Sequence, residues 1–248
     1  MKALKVAKYQ ILSTIGAIKI YYFIFLLVLL FFSASVTVSD GSFSSSGLDI
    51  STIIFLFVVG LNSFKTTFFF TQANNISRKV FFKGLIIAVF PITFTMSIID
   101  LVINRVLNIS VKCVTTYDMI YENIRITESG INWTQSNDLK TLFGTIIWQF
   151  AIYSAIFIIG IFISLCYYRS NKIVKVIISV VPALLATSSY KINNTFIGIF
   201  NINIADIISS AFGFKSQNPY IGVFSLTILM IIFSTSIYLL TRRAVVRS

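Results

Sequence analysis

Apolar positions in this chain fall in long uncharged blocks rather than in short alternating or one-sided stripes. Such blocks predict helices that are apolar all round, the pattern of membrane crossings. They place six spans at about residues 21–38, 50–64, 84–103, 142–167, 173–189 and 220–240. The second meets Lys65 early, but Phe68, Phe69 and Phe70 extend it to a workable length while the lysine snorkels toward headgroups.

Composition strengthens this picture. Of 248 residues, 56% are apolar and 11% charged, and mean hydropathy is +0.89. A hydrocarbon core about 30 Å thick takes roughly 20 helical residues per crossing, so six crossings leave no room for a sizeable soluble domain. The expected architecture is a single all-α integral membrane domain over residues 1–248.

Charge sets an orientation. With both termini cytoplasmic, the inner side carries Lys2, Lys5, Lys8 and Lys19, then Lys65, Arg78, Lys79 and Lys83, then Arg169, Lys172 and Lys175, and finally Arg242, Arg243 and Arg247. The outer side carries Arg105, Lys112, Arg125, Lys140, Lys191 and Lys215 together with every acidic residue: Asp40, Asp49, Asp100, Asp118, Glu122, Glu128, Asp138 and Asp206. Fourteen basic residues against six obey the positive-inside rule. The net charge of +12 is spread over short segments beside apolar helices, so membrane lipids, and not nucleic acid, are the expected partners.

Residues 1–16 carry Lys2, Lys5 and Lys8 opposite Leu4, Ile11, Leu12 and Ile15, a pattern that suits an interfacial helix on the inner surface or a plain basic tail. This start, the apolar run 20–32 and Ser33-Ala34-Ser35 resemble a signal peptide, but the apolar continuation through Val38 favours a retained first crossing. Residues 39–47 read as a Ser/Gly connector. In 104–140, Tyr117, Ile120, Tyr121, Ile124 and Trp133 suggest a short helix packed on the outer face. Residues 190–219 hold apolar pieces too short to cross, broken by Gly and Asn; they predict a partly buried outer hairpin before the last span.

The candidate chemistry is sparse. With no histidine, Ser-His-Asp hydrolysis and HExxH zinc chemistry are excluded. Cys113 and Cys166 fall near opposite faces and are expected as free thiols, and no metal site is expected. Gly60-Leu61-Asn62-Ser63-Phe64-Lys65-Thr66 approaches a phosphate-loop pattern, but bulky Phe64 precedes the lysine where glycine is required, so this chain is not expected to be an enzyme. Asp100 is the one carboxylate plausibly within a span; an outer ion pair with Arg105 is its plain reading and a proton or cation site the sharper one. Asp206 carries the same two readings. Pro91 and Pro182 permit kinks in the third and fifth spans. Asn132-Trp133-Thr134 matters only if the chain matures in a eukaryotic secretory pathway.

Between the second and third spans stands Thr71-Gln72-Ala73-Asn74-Asn75-Ile76-Ser77-Arg78-Lys79-Val80-Phe81-Phe82-Lys83-Gly84. It reads either as a short polar helix, capped by Asn74 or Asn75 and able to transmit force from a docked subunit, or as an ordinary basic turn.

The layout resembles the permease subunits of type-2 ABC exporters, small bacterial members in particular. Two local phrases are similar as well: Ala73-Asn74-Asn75-Ile76-Ser77-Arg78-Lys79, and Leu239-Leu240-Thr241-Arg242-Arg243-Ala244. The resemblance implies a bacterial plasma-membrane subunit that pairs with a second permease, identical or homologous, and docks a cytoplasmic ABC ATPase dimer. ATP and Mg would reside on that ATPase, with no cofactor in this chain. Gln72, Asn74, Asn75, Ser77, Arg78, Lys79 and Phe82 would form the coupling helix. The apolar walls suit an amphipathic peptide or lipid-like substrate, with peptide export or antimicrobial-peptide immunity as the implied role. A secondary carrier or channel, or a non-transporting membrane partner subunit, stands as the alternative.

Overall fold

The computed structural model describes residues 2–38, 44–46, 48–109, 112–121, 125–127, 130–132, 135–200 and 203–242. Asp40, Glu122, Ile124, Glu128, Trp133, Thr134, Arg243 and Arg247 lie outside them. The described chain is overwhelmingly helical: α1 (Lys2–Val38), α2 (Leu48–Ala73), α3 (Arg78–Leu107), α4 (Thr116–Tyr121), α5 (Leu139–Arg169), α6 (Lys172–Phe200), α7 (Ile204–Ala211) and α8 (Pro219–Arg242). Five of these are long and apolar enough to cross a membrane, and a bent α6 makes six. Short strands supplement them. Ser44–Ser46 (β1) pairs in parallel with Lys112–Val114 (β2), and Arg125–Thr127 (β3) pairs antiparallel with Gly130–Asn132 (β4).

α5 is the hub of the bundle, packed against α2, α3 and α8. Close approach to α2 depends on two facing glycines. A Cβ on Gly60 would stand 2.5 Å from the Phe157 carbonyl oxygen, and one on Gly160 would stand 2.6 Å from that of Phe57. In a solvent as apolar as the side chains, helices associate through such backbone contact rather than through hydrophobic exclusion, so small residues decide where they cross. Below this crossing the core is aromatic: Phe64, Phe68 and Phe81 are fully buried, and their rings meet one another and Tyr168.

Two expectations change. The N-terminal residues do not form a separate interfacial helix; α1 is one continuous helix of 37 residues. At 1.5 Å per residue it is about 55 Å long, well beyond one hydrocarbon core. Its basic end is held along the bundle by buried Val6 and Ala7 and by Val6 seated on Gly84 of α3, while Lys2, Lys5 and Lys8 stay exposed. The fifth span does not stop near residue 189. α6 runs on to Phe200, and its two arms, Lys172–Pro182 and Thr187–Gly198, meet at 64°. Pro182 ends the first arm, as loss of a backbone donor allows. The segment before α8 is the second arm of α6 followed by α7, and α7 buries no residue.

Between α3 and α5 the pattern of 104–140 agrees with the structure in giving a packed short helix. α4 buries Tyr117 and Tyr121 beside Trp148 of α5 and Leu226 of α8. Thr115 and Asp118 cap it reciprocally: Thr115 N–H donates to Asp118 Oδ2 at 3.1 Å and Asp118 N–H to Thr115 Oγ1 at 3.2 Å.

Candidate functional site

The connection from α2 to α3 is a tight turn, not a free-standing helix. Asn75 adopts a left-handed backbone, φ 51°, which Asn tolerates better than most residues. Its N–H bonds to the Gln72 carbonyl at 3.0 Å and that of Ile76 to the Thr71 carbonyl at 2.9 Å, the double closure that terminates a helix. Asn74 and Asn75 therefore finish α2 instead of starting a new element. Ser77 then serves as the N-cap position of α3, although its side chain makes no capping bond. Arg78, Lys79 and Phe82 occupy the first turns of α3, so the expected coupling rod is replaced by the ends of two long helices.

This turn is braced. Arg78 Nη1 donates to the Arg242 carbonyl at 2.8 Å, and Arg169 Nη1 donates to the Leu240 carbonyl at 3.2 Å. The last carbonyls of α8, which no intrahelical donor can satisfy, are thus held by arginines from α3 and α5. Gln10 of α1 adds a further tie, donating to Ser63 Oγ at 2.8 Å and accepting from Thr67, both on α2. The start of α1, the 74–77 turn and the ends of α5 and α8 share one end of the bundle.

Toward the opposite end lies a polar cluster that hydropathy did not reveal. Asp100 of α3 is buried. It accepts from Tyr22 at 2.8 Å on Oδ1, from Tyr153 at 2.6 Å on Oδ2, and from the Thr52 hydroxyl as well. One carboxylate therefore ties α1, α2, α3 and α5 together. Among the described residues it forms no ion pair with Arg105, which corrects the plain reading from sequence. The reason is reach: three hydroxyls from neighbouring helices converge on the carboxylate inside the bundle. Tyr21 extends the network, its hydroxyl lying 2.8 Å from Thr52 Oγ1 and 3.1 Å from Ser51 Oγ. One turn before Thr52, buried Asp49 accepts from both N–H and Oγ1 of Thr116, at 3.0 and 2.8 Å, fastening α4 to α2.

Nearer the loops, Tyr121 donates to the Phe212 carbonyl at 2.8 Å, and burial followed by the nearby Tyr117 raises its pKa. Cys113, on β2, is buried and its thiol pKa is raised by that burial; Cys113 and Cys166 are both free. Asp206 pairs with Lys215 at 2.8 Å on the surface, the plainer of its two readings. The segment resembling a phosphate loop is mid-helix core, with Gly60 against α5 and Phe64 fully buried. Among the described residues no three His, Cys, Asp or Glu side chains gather as a metal site would require.

The long apolar helices and the basic turn are legible in the sequence. The Asp100 cluster is not, because its partners are hydroxyls 48 to 78 positions away, scattered as single polar residues in apolar helices. No family model matches the chain, and neither does any curated protein or solved structure.

Proposed function

We propose that this chain is the membrane-spanning subunit of an ATP-driven exporter of the type-2 ABC kind, working with a separate cytoplasmic ATPase dimer and a second permease subunit. The observation that carries the reading is the braced turn at 74–77, at the same end of the bundle as Lys2, Lys5, Lys8, Arg169 and Arg242. Arg78 and Lys79 are the docking contacts, and Asn74 and Asn75 hold the turn's shape. Motion of a docked ATPase would pass into α2 and α3 directly, and through the Arg78–Arg242 bond into α8. Such coupling requires that nucleotide favour one of two arrangements of the permease. ATP and Mg stay on the ATPase. α6 packs chiefly on α5 and α7 and leaves Ile173, Val176, Leu184 and Leu185 exposed, a surface that suits lipid, an amphipathic cargo or the second permease.

The test is affinity purification of the chain from its native membrane. An ATPase should copurify and should be lost from the double variant Arg78→Glu/Lys79→Glu. A secondary carrier is the second reading, and buried Asp100 is the observation that favours it, since an intramembrane carboxylate is a common coupling group. Transport that survives ATP depletion but stops when ion gradients are collapsed would select the carrier.

A further inference from the structure

Between α3 and α8, with Ile158 of α5 at its floor, runs an apolar groove of about 380 Å³. Phe82 and Phe90 form one wall; Met230, Ser234 and Tyr238 belong to the other. At the inner end a second hollow of about 300 Å³ begins at the shared residue Tyr238 and is lined by Arg78, Lys79, Thr241 and Arg242. The two adjoin at Tyr238, whose ring packs on Phe82 at 5.2 Å between them; the first is apolar and the second is lined by basic residues. Thr241 is only 1% exposed, yet among the described residues its hydroxyl has no hydrogen-bond partner. Arg78 uses one of its five N–H donors on the Arg242 carbonyl.

We propose that these adjoining hollows bind one anionic phospholipid of the inner leaflet, with an acyl chain in the α3–α8 groove and the phosphate at Arg78, Lys79, Arg242 and the Thr241 hydroxyl. Length supports the assignment. From Thr227 to Tyr238 the groove follows twelve residues of α8, about 16 Å of helix, which matches half of a hydrocarbon core about 30 Å thick. Charge supports it too, because Arg78, Lys79 and Arg242 line the second hollow together with Thr241, and their donors suit a phosphate diester. A second protein helix would bring no anion to that hollow, and a zwitterionic lipid would bring a compensating cation. Arg78 and Lys79 are also the docking contacts proposed above, so the variants that test the lipid site change Thr241, Arg242 and Ser234 instead.

The experiment is native mass spectrometry of the full chain in detergent, titrated with dioleoylphosphatidylglycerol or dioleoylphosphatidylcholine. One phosphatidylglycerol should bind per chain, about tenfold more tightly than phosphatidylcholine, and the double variant Thr241→Val/Arg242→Gln should erase that preference. Ser234→Phe, which fills the groove and leaves the basic hollow intact, should weaken phosphatidylglycerol binding by a similar factor while copurification of an ATPase is unchanged. Should Ser234→Phe not fold, Thr235→Trp tests the same groove. Equal retention of the two lipids overturns the proposal. So does wild-type lipid binding by the filled groove, or a dimer that only the filled groove disrupts.

Discussion

The Tyr153 hydroxyl donates a 2.6 Å hydrogen bond to Asp100 Oδ2, so a carboxylate of α3 is anchored to the central helix of the bundle. Tyr22 and Thr52 hold the same group from α1 and α2. Replacing it with alanine leaves three hydroxyls without their acceptor, each costing about 1–3 kcal/mol if it finds no other. Asp100→Ala should therefore lower the apparent melting temperature in detergent by roughly 6–12 °C, taking about 3 kcal/mol as the net loss. Asp100→Asn keeps one acceptor oxygen and should lose about half as much. Equal, small losses would show that the hydroxyls re-pair elsewhere.

At the α2–α5 crossing the constraint is space. A methyl on Gly60 would press on the Phe157 carbonyl, and one on Gly160 on that of Phe57, and backbone cannot swing aside as a flexible side chain does. Gly60→Ala and Gly160→Ala should each destabilise by about 1–3 kcal/mol. Because both act on the same helix separation, the double variant should cost less than the sum of the two. Thermal denaturation of the purified variants reads all three.

Much of this architecture is legible in composition alone, because crossing helices must be apolar over a fixed length and basic residues collect beside one face. The 74–77 turn was visible as a polar interruption, but its form was not. Whether Asn75 begins a helix or ends one depends on a single left-handed backbone angle. The continuity of α1 was hidden for a different reason: Lys2, Lys5 and Lys8 look interfacial, while the contact of Val6 with Gly84 that aligns the segment with α3 joins positions 78 apart. The Asp100 cluster is the extreme case, since Tyr22, Thr52 and Tyr153 are individually ordinary residues for a membrane helix and acquire meaning only where four helices meet.

Cys113 offers a check on the packing outside the spans. Its thiol is buried and its pKa is raised by desolvation, so less thiolate is present at a given pH than for an exposed cysteine. Alkylation by iodoacetamide at pH 8 should be markedly slower in the folded protein than after denaturation, and should accelerate as pH rises toward the elevated pKa. Because the folded state favours the neutral thiol, any contribution to stability is present below the unfolded pKa near 9 and falls as pH rises past it. Rapid labelling at pH 7 would mean that β2 and α4 are not packed as described.

The proposed orientation of the bundle is testable at Ser77 and Ser216, exposed residues at its two ends. In a background of Cys113→Ser and Cys166→Ser, Ser77→Cys should react with a membrane-impermeant maleimide only after permeabilisation, and Ser216→Cys should react in intact cells. Neither substitution removes a buried contact, since Ser77 makes no side-chain capping bond and Ser216, itself exposed, bonds among the described residues to the nearby Gly213 carbonyl. The reverse pattern would put Arg78, Lys79 and Arg242 outside. No cytoplasmic ATPase could then reach the turn, and the proposed lipid site would face the outer leaflet, against its assignment to the inner one.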